Sequence, residues 1–582
     1  MSHDTIHKPP AGELAVRPNL EDYEAMRASF RWEDIHRELD FLPDGGLNLA
    51  HEAIDRHLST DRRDKVALIW DGKGGVEERY TFADLARLSN RFADVLTGLG
   101  IAKGDRVFTY LDRVPEAYVS ILGIVKAGAV VGPLFSAFGT EAIKDRLSDS
   151  GARVLVTSPD LLPNVDAVKA DLPDLEHIIV ANKHELPYEP KDNEIPYARV
   201  MAEASDEFVT CPTGKEDYSI MHYTSGTTGK PKGAAHVHEA IVGHYATAKY
   251  VLDLHPDDVY WCTADPGWVT GTSYGIFGPW SNGVTQLVSE VGFSVRHWYE
   301  LIARHRVTVW YTAPTAIRML MKFGEKTARK FDLSSLRHIN SVGEPLNPEA
   351  VVWSNEVYGL PFHDNWWQTE TGCIQIANYA VQDIKPGSMG RPLPGVQPAI
   401  MDDDIAAEQP VGEEGNLCLK YPWPSMFRTY WNKTEMYESR FKNGWYITGD
   451  RARMDADGYY HFVGRADDVI NVAGHLVGPF EVESALVEHP AVAEAAAIGV
   501  PDPIRMEVVK AFVSLRDGVE EAPGLKLEIK RFVAAKLDAN AAPKEIEILQ
   551  TLPKTRSGKI MRRLLKAREL GLPEGDTSTL EE

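Results

Sequence analysis

Hydrophobic positions follow two spacings that alternate along most of the chain. An amphipathic stretch of helical period over residues 82–99 precedes short apolar runs of strand length at 106–110, 129–134, 153–157 and 177–180. The rhythm returns at 307–311 and 337–342. Helix and strand in alternation predict right-handed βαβ crossovers and parallel sheets. The run from Tyr118 to Phe135 is interrupted by Lys126 and several glycines, so it reads as a buried helix leading into a strand and not as a membrane span. After Tyr446-Ile447-Thr448-Gly449-Asp450 the spacing becomes hairpin-like, with apolar runs at 452–454 and 459–463 around the turn Asp457-Gly458. The polar loop Gly464-Arg465-Ala466-Asp467-Asp468 reads as a hinge. Beyond it, 481–488 and 525–537 have the pattern of helices, and 492–499 and 509–515 that of strands. The expected class is α/β, with a large domain over residues 1–466, a small α+β domain over 467–582 and a hinge near Asp467.

Composition narrows the function. A chain of 582 residues exceeds one ordinary core, in agreement with two domains. With 62 Lys and Arg against 85 Asp and Glu, the net charge of −23 argues against nonspecific binding to nucleic acid or an anionic membrane. An anionic substrate must therefore be met by a local cluster of cations. Cys211, Cys262, Cys373 and Cys418 are far apart and fit no zinc spacing, which points to reduced thiols in a cytoplasm. The start, Met1-Ser2-His3-Asp4, lacks a basic segment followed by an apolar one, and no signal peptide is read there.

The densest chemistry lies in Tyr223-Thr224-Ser225-Gly226-Thr227-Thr228-Gly229-Lys230-Pro231-Lys232-Gly233. Glycines let successive N–H groups form a concave anion nest, and hydroxyls and lysines add donors and mobile charge. A solvated Gly/Thr hairpin is the plainer alternative. A Walker loop requires G-x-x-x-x-G-K-[ST], but Thr224 stands in the first glycine's place and Pro231 follows Lys230. The segment reads as a phosphate-handling loop of another kind. His236, His238 and His244 invite a metal reading, but they follow a helix-start pattern and lack a fourth ligand.

Four further motifs follow in order: Asp364-Asn365-Trp366-Trp367-Gln368-Thr369-Glu370-Thr371-Gly372, then Tyr446 to Asp450, then Gly464 to Asp468, then Pro553-Lys554-Thr555-Arg556-Ser557-Gly558-Lys559. Together with the glycine-rich loop they resemble the adenylate-forming superfamily of acyl-CoA synthetases, adenylation domains and luciferases, over roughly residues 20–570. Within it, Trp261-Cys262-Thr263-Ala264-Asp265-Pro266-Gly267-Trp268-Val269-Thr270-Gly271 and the paired tryptophans look like the AMP-forming acetyl-CoA synthetases. The resemblance implies two βαβ subdomains plus a β-barrel, with a small mobile C-terminal lid. It also implies ATP, Mg²⁺ and coenzyme A as reactants or cofactors.

Roles carry over position by position. Lys559 matches the lysine that bridges carboxylate and α-phosphate, against the plainer reading of a solvated lysine in a basic tail. The resemblance implies that a lysine acetyltransferase and deacylase act on it. Asp450 matches the carboxylate that accepts from the ribose hydroxyls, with Arg465 assisting. Thr227 and Glu370 match the Mg²⁺ ligands. Thr224 to Lys230 with Lys232, then Gly343-Glu344-Pro345, and Asp364, Asn365, Trp366, Trp367, Gln368 and Thr369 match the segments around ATP. For Trp366 core packing is the competing role. Val269, Thr270, Val342 and Trp367 match the acyl pocket, where an indole floor favours acetate over propionate without excluding it; one methylene is worth only about 1–3 kcal/mol there. Another short- or medium-chain acid stays open. A luciferase-like oxygenase would need a large aromatic-acid pocket, which Trp367 opposes.

Ala313, Ala473 and Gly474 match the pantetheine path of coenzyme A. Two features depart from the pattern. Leu476 stands where relatives commonly carry a phosphate-binding arginine, leaving Lys230, Lys232 or His475 to compensate. No arginine-rich segment for the CoA nucleotide is found, since residues 157–171 are neutral or acidic.

Overall fold

The computed structural model describes residues 3–224, 231–473, 475–503, 505–516, 518–537, 541–555, 558–575, 577 and 580, apart from the side chain of Leu476. Ser225, Gly226, Thr227, Thr228, Gly229, Lys230 and Gly474, all named above as site residues, lie outside the described residues.

Two large mixed sheets carry the first part of the chain. One contains Arg106–Leu111, Val130–Phe135, Val154–Thr157, His177–Val180, Glu194–Pro196 and Tyr218–Thr224 in parallel, with Lys232–Val237 and Thr429–Tyr430 added antiparallel. The other runs Val66–Asp71, Thr285–Ser289, Val259–Cys262, Val309–Thr312, His338–Ser341 and His363–Trp366 in parallel, with antiparallel strands at both edges. The parallel strands are buried on both faces, which is why they read as continuous apolar runs. Helix Phe82–Gly98 starts at a capping box in which the Thr81 and Asp84 side chains satisfy each other's backbone N–H. Helix Pro115–Lys126 is buried along its length and leads into Val130–Phe135, as its composition predicted. Among the described residues no helix is long and apolar enough to cross a membrane.

A third sheet is antiparallel, pairing Pro398–Met401, Glu414–Lys420, Trp445–Met454, Phe441–Lys442 and Tyr460–Arg465. The expected hairpin is present, with Met454 opposite Tyr460, but its first strand begins at Trp445 and not at residue 452. The Thr448-Gly449-Asp450 motif therefore sits inside a strand, and Asp450 lies directly across from Arg465.

Residues beyond the polar loop build a core of their own. Ile470, Val482, Leu486, Val492, Val509 and Ile529 belong to one buried cluster drawn entirely from this region. Strands Val492–Asp502 and Met506–Leu515 form its hairpin, flanked by helices Pro479–Val487 and Leu525–Lys536. Both strands run further than their apolar patterns because the pairing continues through the polar turn. Asp467 is exposed on the link between Tyr460–Arg465 and Ile470–Val472.

Candidate active site

Four neighbouring parallel strands end at one cleft: Val259–Cys262, Val309–Thr312, His338–Ser341 and His363–Trp366. Immediately beyond their carboxyl ends stand the predicted segments: 264–270, Ala313, Val342 to Pro345, and Trp367 to Glu370. In the other sheet Tyr218–Thr224 ends at Thr224, paired with Lys232 of the antiparallel strand Lys232–Val237. Open parallel sheets bind ligands outside the carboxyl ends of their strands, because the loops there are free to diverge.

Asp450 is the best-connected group. Its Oδ2 accepts from Trp366 Nε1 at 3.0 Å and Gln368 Nε2 at 2.8 Å, and its Oδ1 lies 3.2 Å from Arg465 Nη1. A carboxylate offers about four acceptor positions, so room remains for a hydroxyl donor. Burial raises the Asp450 pKa above the usual carboxylate value, opposed by Arg465 and Trp366. Trp366 is 8 % exposed and belongs to the core, so the two roles weighed for it meet in one residue: the ring packs and the N–H orients Asp450. Gln368 is fixed in turn by Tyr446, whose hydroxyl donates to Oε1 at 3.1 Å.

Asp364 and Asn365 are turned inward. Asp364 Oδ2 accepts from the N–H of Leu346 at 3.3 Å, and burial pushes this carboxyl up to about 7. Asn365 donates to the carbonyl of Ser341 and accepts from the Tyr311 hydroxyl. These two side chains brace the loops on either side of the cleft; both polar atoms of Asn365 are engaged there, and Asp364 through Oδ2. Thr224 Oγ1 and Asp364 Oδ1 are buried without a hydrogen-bond partner among the described residues.

Glu370 is buried, and its Oε1 accepts from the Tyr430 hydroxyl at 2.7 Å. Its backbone carbonyl accepts from the N–H of Phe427 at 3.0 Å, and Gly372, two residues on, sits at φ +72° with Ser425 O only 2.1 Å from where a Cβ would be. Only glycine admits that approach. Lys232 lies over the Tyr430 ring, and burial lowers its pKa against the pull of Glu370. Arg440, which no motif flagged, is a cation in the same group; burial opposes its charge and the Glu370 carboxylate favours it. A carboxylate beside hydroxyls is the oxygen donor chemistry that Mg²⁺ takes, so Glu370 fits that ion.

The residues expected at the acyl pocket come from three elements. Val269 and Thr270 open the short helix Val269–Thr272, which Thr272 fastens to the phosphate-loop strand through His222 at 2.8 Å. Val342 is buried beyond His338–Ser341. Trp367 is half-buried and meets the Tyr274 ring edge-on, with centroids 5.1 Å apart. Tyr274 is locked by Thr247 Oγ1 at 2.7 Å and by the N–H of Ile374 at 2.8 Å.

His236, His238 and His244 are buried, and burial lowers their pKa values to about 4, 3 and 3. Each is engaged by the protein backbone: His236 with Ser425 O, His238 with Leu49 N–H and His244 with Gly372 O. They are core residues. On the coenzyme A side, Ala313 caps helix Pro314–Phe323, and Ala473 occupies a tight turn at φ +53°.

The small C-terminal unit faces this cleft with Lys559. The side chain keeps contact with solvent, yet burial among protein atoms lowers its pKa, against Glu344 and Asp450, while Arg465 and Arg562 lower it further. The cleft beneath it is lined by Arg318, Glu344, Pro345, Asn347 and Arg562. Asn347 Nδ2 donates to Ser484 Oγ at 3.0 Å and Thr315 Oγ1 lies 3.0 Å from Gly558 O, both across the two units. The notable omissions from the sequence reading are Thr315, Arg318, Tyr430 and Arg440, none of which falls in a glycine-marked motif.

The placement of Lys559 and Asp450 agrees with an adenylate-forming enzyme, and the chain belongs to the AMP-binding enzyme family. The family model matches residues 55–431, and the model of its C-terminal domain matches 481–559. The chain is 52 % identical to the acetyl-coenzyme A synthetase of Bacillus subtilis over 567 residues, covering 97 % of this chain and 98 % of that one. It is 43 % identical to the acetyl-coenzyme A synthetase of Methanothrix thermoacetophila, with 92 % and 85 % covered. Among solved structures, an anthranilate CoA ligase in complex with anthranoyl-AMP is similar at a TM-score of 0.83 and 30 % identity, covering 93 % of this chain and 99 % of that one. The Brucella canis acyl-CoA synthetase is similar at 0.74 and 36 %, covering 94 % and 99 %.

Proposed function

We propose that this protein is an ATP-dependent acetate–CoA ligase that works through an acetyl-adenylate. A carboxylate oxygen of acetate attacks the α-phosphorus of ATP, the bond to the β-phosphate breaks, and pyrophosphate leaves. The thiolate of coenzyme A then attacks the acyl carbon, the C–O bond to phosphate breaks, and AMP leaves. Two anions must approach in the first step, so positioning and charge neutralisation supply most of the catalysis. The observation that supports this reading is Lys559 lining one cleft with Arg318, Glu344 and Arg562, where Glu344 and Asp450 favour its charged form. A flexible ammonium there can follow the charge from carboxylate to phosphate. Asp450, oriented by Trp366, Gln368 and Arg465, has acceptor capacity for the ribose. Mg²⁺, for which Thr227 and Glu370 would be the holding residues, supplies neutralisation of the phosphates. The glycine-rich loop from Thr224 to Lys230, with Lys232, contributes N–H groups and cations to the same end. Ala313, Ala473 and Gly474 are assigned to the pantetheine path. Acetate-dependent ATP–pyrophosphate exchange that needs no CoA supports the reading, and exchange that another acid drives better replaces acetate as the substrate.

Acetate is favoured over longer acids by Trp367, whose indole is braced edge-on by Tyr274. The boundary between the two domains is assigned at residues 466 and 467, with Asp467 as the pivot of the lid. Proline at 467 fixes φ near −65° and blocks the torsion the lid needs. Asp467→Pro should spare adenylation and lower thioester formation on the order of 10²-fold, the cost of holding catalytic groups out of place. CoA-dependent turnover at the wild-type rate removes Asp467 as the pivot.

Nε-acetylation of Lys559 removes its charge and blocks the first step, which makes a lysine acetyltransferase and a deacylase the fitting regulators. An acetylated enzyme with full overall activity ends that assignment. A cytoplasmic location agrees with four free cysteines, three of them buried.

A further inference from the structure

Lys559 is presented by a tight turn. The N–H of Thr555 donates to Lys559 O at 2.7 Å, the N–H of Gly558 donates to Thr555 O at 2.7 Å, and the N–H of Lys559 donates to Thr555 Oγ1 at 3.0 Å. These bonds tie Thr555, Gly558 and Lys559 together, so whatever holds Gly558 also aims Lys559. The holder is on the other side of the cleft. Thr315 Oγ1 lies 3.0 Å from Gly558 O, and Gly558 sits at φ +87° so close to Thr315 that an added Cβ would meet Thr315 Cγ2 at 2.4 Å. The seat accepts glycine alone.

Thr315 has a second acceptor. Its Oγ1 is 2.5 Å from Glu344 Oε1, and Arg318 donates to Thr315 Oγ1 at 3.0 Å and to Glu344 Oε2 at 3.0 Å. Pro314 starts the helix, which sets Thr315 and Arg318 three residues apart on one face, both toward Glu344. A hydroxyl carries a single proton, so it donates either to Glu344 or to the turn of Lys559. Arg318 shares the negative charge of Glu344, so Arg318, Glu344, Thr315 and Gly558 O form one chain of contacts across the two units. Burial raises and Arg318 lowers the Glu344 pKa, with a net lowering, so the carboxylate stays ionised and needs that guanidinium.

We propose that Thr315 is a positioning residue for adenylation: with Arg318 and Glu344 it docks the turn that carries Lys559 during the first half-reaction and releases it for the second. The dock rests on the assignment of Lys559 to adenylation, which Lys559→Ala tests separately. A bond that spans the two units has to break when the lid turns, so its loss weakens only the step in which the lid is docked.

The test compares Thr315→Val, which keeps the shape and removes the hydroxyl, with Thr315→Ser, which keeps the hydroxyl. Both are measured in the full-length enzyme by acetate-dependent ATP–pyrophosphate exchange and by thioester formation from supplied acetyl-adenylate and CoA. Thr315→Val should lower exchange about tenfold, equal to about 1.4 kcal/mol, while thioester formation stays within about twofold. Thr315→Ser should restore exchange to within about twofold of wild type. Unchanged exchange in Thr315→Val, or an equal fall in both half-reactions, overturns the dock. Melting temperatures accompany each variant, and Thr315→Ala replaces the valine variant where valine lowers stability. Selective loss in Lys559→Ala with a silent Thr315→Val rejects the dock alone; no selectivity in Lys559→Ala rejects the underlying assignment.

Discussion

Lys559→Ala should lose acetate-dependent adenylation by on the order of 10²–10³-fold, the usual cost of deleting one preorganised charge or donor at a reacting centre. Thioester formation from supplied acetyl-adenylate should survive. On the proposed reading Lys559 serves a charge that exists only while acetate and the α-phosphate approach; it lines one cleft with Glu344, and Glu344 and Asp450 favour its charged form. In the second step the new charge develops on the carbonyl oxygen and the leaving AMP, and the proposed pivot at Asp467 turns the lid away. Single-turnover measurement of the two half-reactions decides the matter. Equal loss in both means that Lys559 supports the fold of the lid or acts throughout the cycle.

The parts of this site that were legible in the sequence share a property: their chemistry forces a local signature. Gly372 must be glycine because Ser425 O occupies the space of its Cβ, and the glycine marks the motif in which Glu370 stands. Asp450 follows Thr448 and Gly449 in a strand whose partner brings Arg465 opposite, so both members fell in readable motifs. Strand cores were equally plain, since burial on both faces leaves an uninterrupted apolar run, as in Val154–Thr157. Their ends were not, because hydrogen bonding continues past the apolar residues, as in Met506–Leu515. Thr315 and Arg318 were invisible for another reason. Their partners Glu344 and Gly558 stand 29 and 243 residues from Thr315, and no spacing on one helix announces a contact of that range. Arg440 and Tyr430 are hidden likewise. Trp366 shows that two readings of one residue need not compete: its ring belongs to the core while its N–H reaches Asp450.

Trp367→Gly should move the preference from acetate toward butyrate, valerate and hexanoate. The indole stands beyond the carboxyl end of His363–Trp366, beside Val342 of the adjacent strand end, with Tyr274 against its face. Tyr274 is itself tied by Thr247 and Ile374, so removing the indole leaves a walled cavity and not a collapse. Each methylene that enters can bury about 0.8 kcal/mol of transfer free energy. Three methylenes amount to roughly 2.4 kcal/mol, or about fiftyfold in kcat/KM, provided the walls keep their shape. Acetate loses at the same time, because it no longer touches a surface that aims its carboxylate at the α-phosphate. A core role for Trp367 gives a different result: a lower melting temperature and a common fall for every acid. Measuring kcat/KM from acetate through hexanoate together with the melting temperature separates the two. An unchanged chain-length ranking removes Trp367 from the pocket floor, and Tyr274, whose ring would then be the nearest aromatic wall, becomes the residue to vary next.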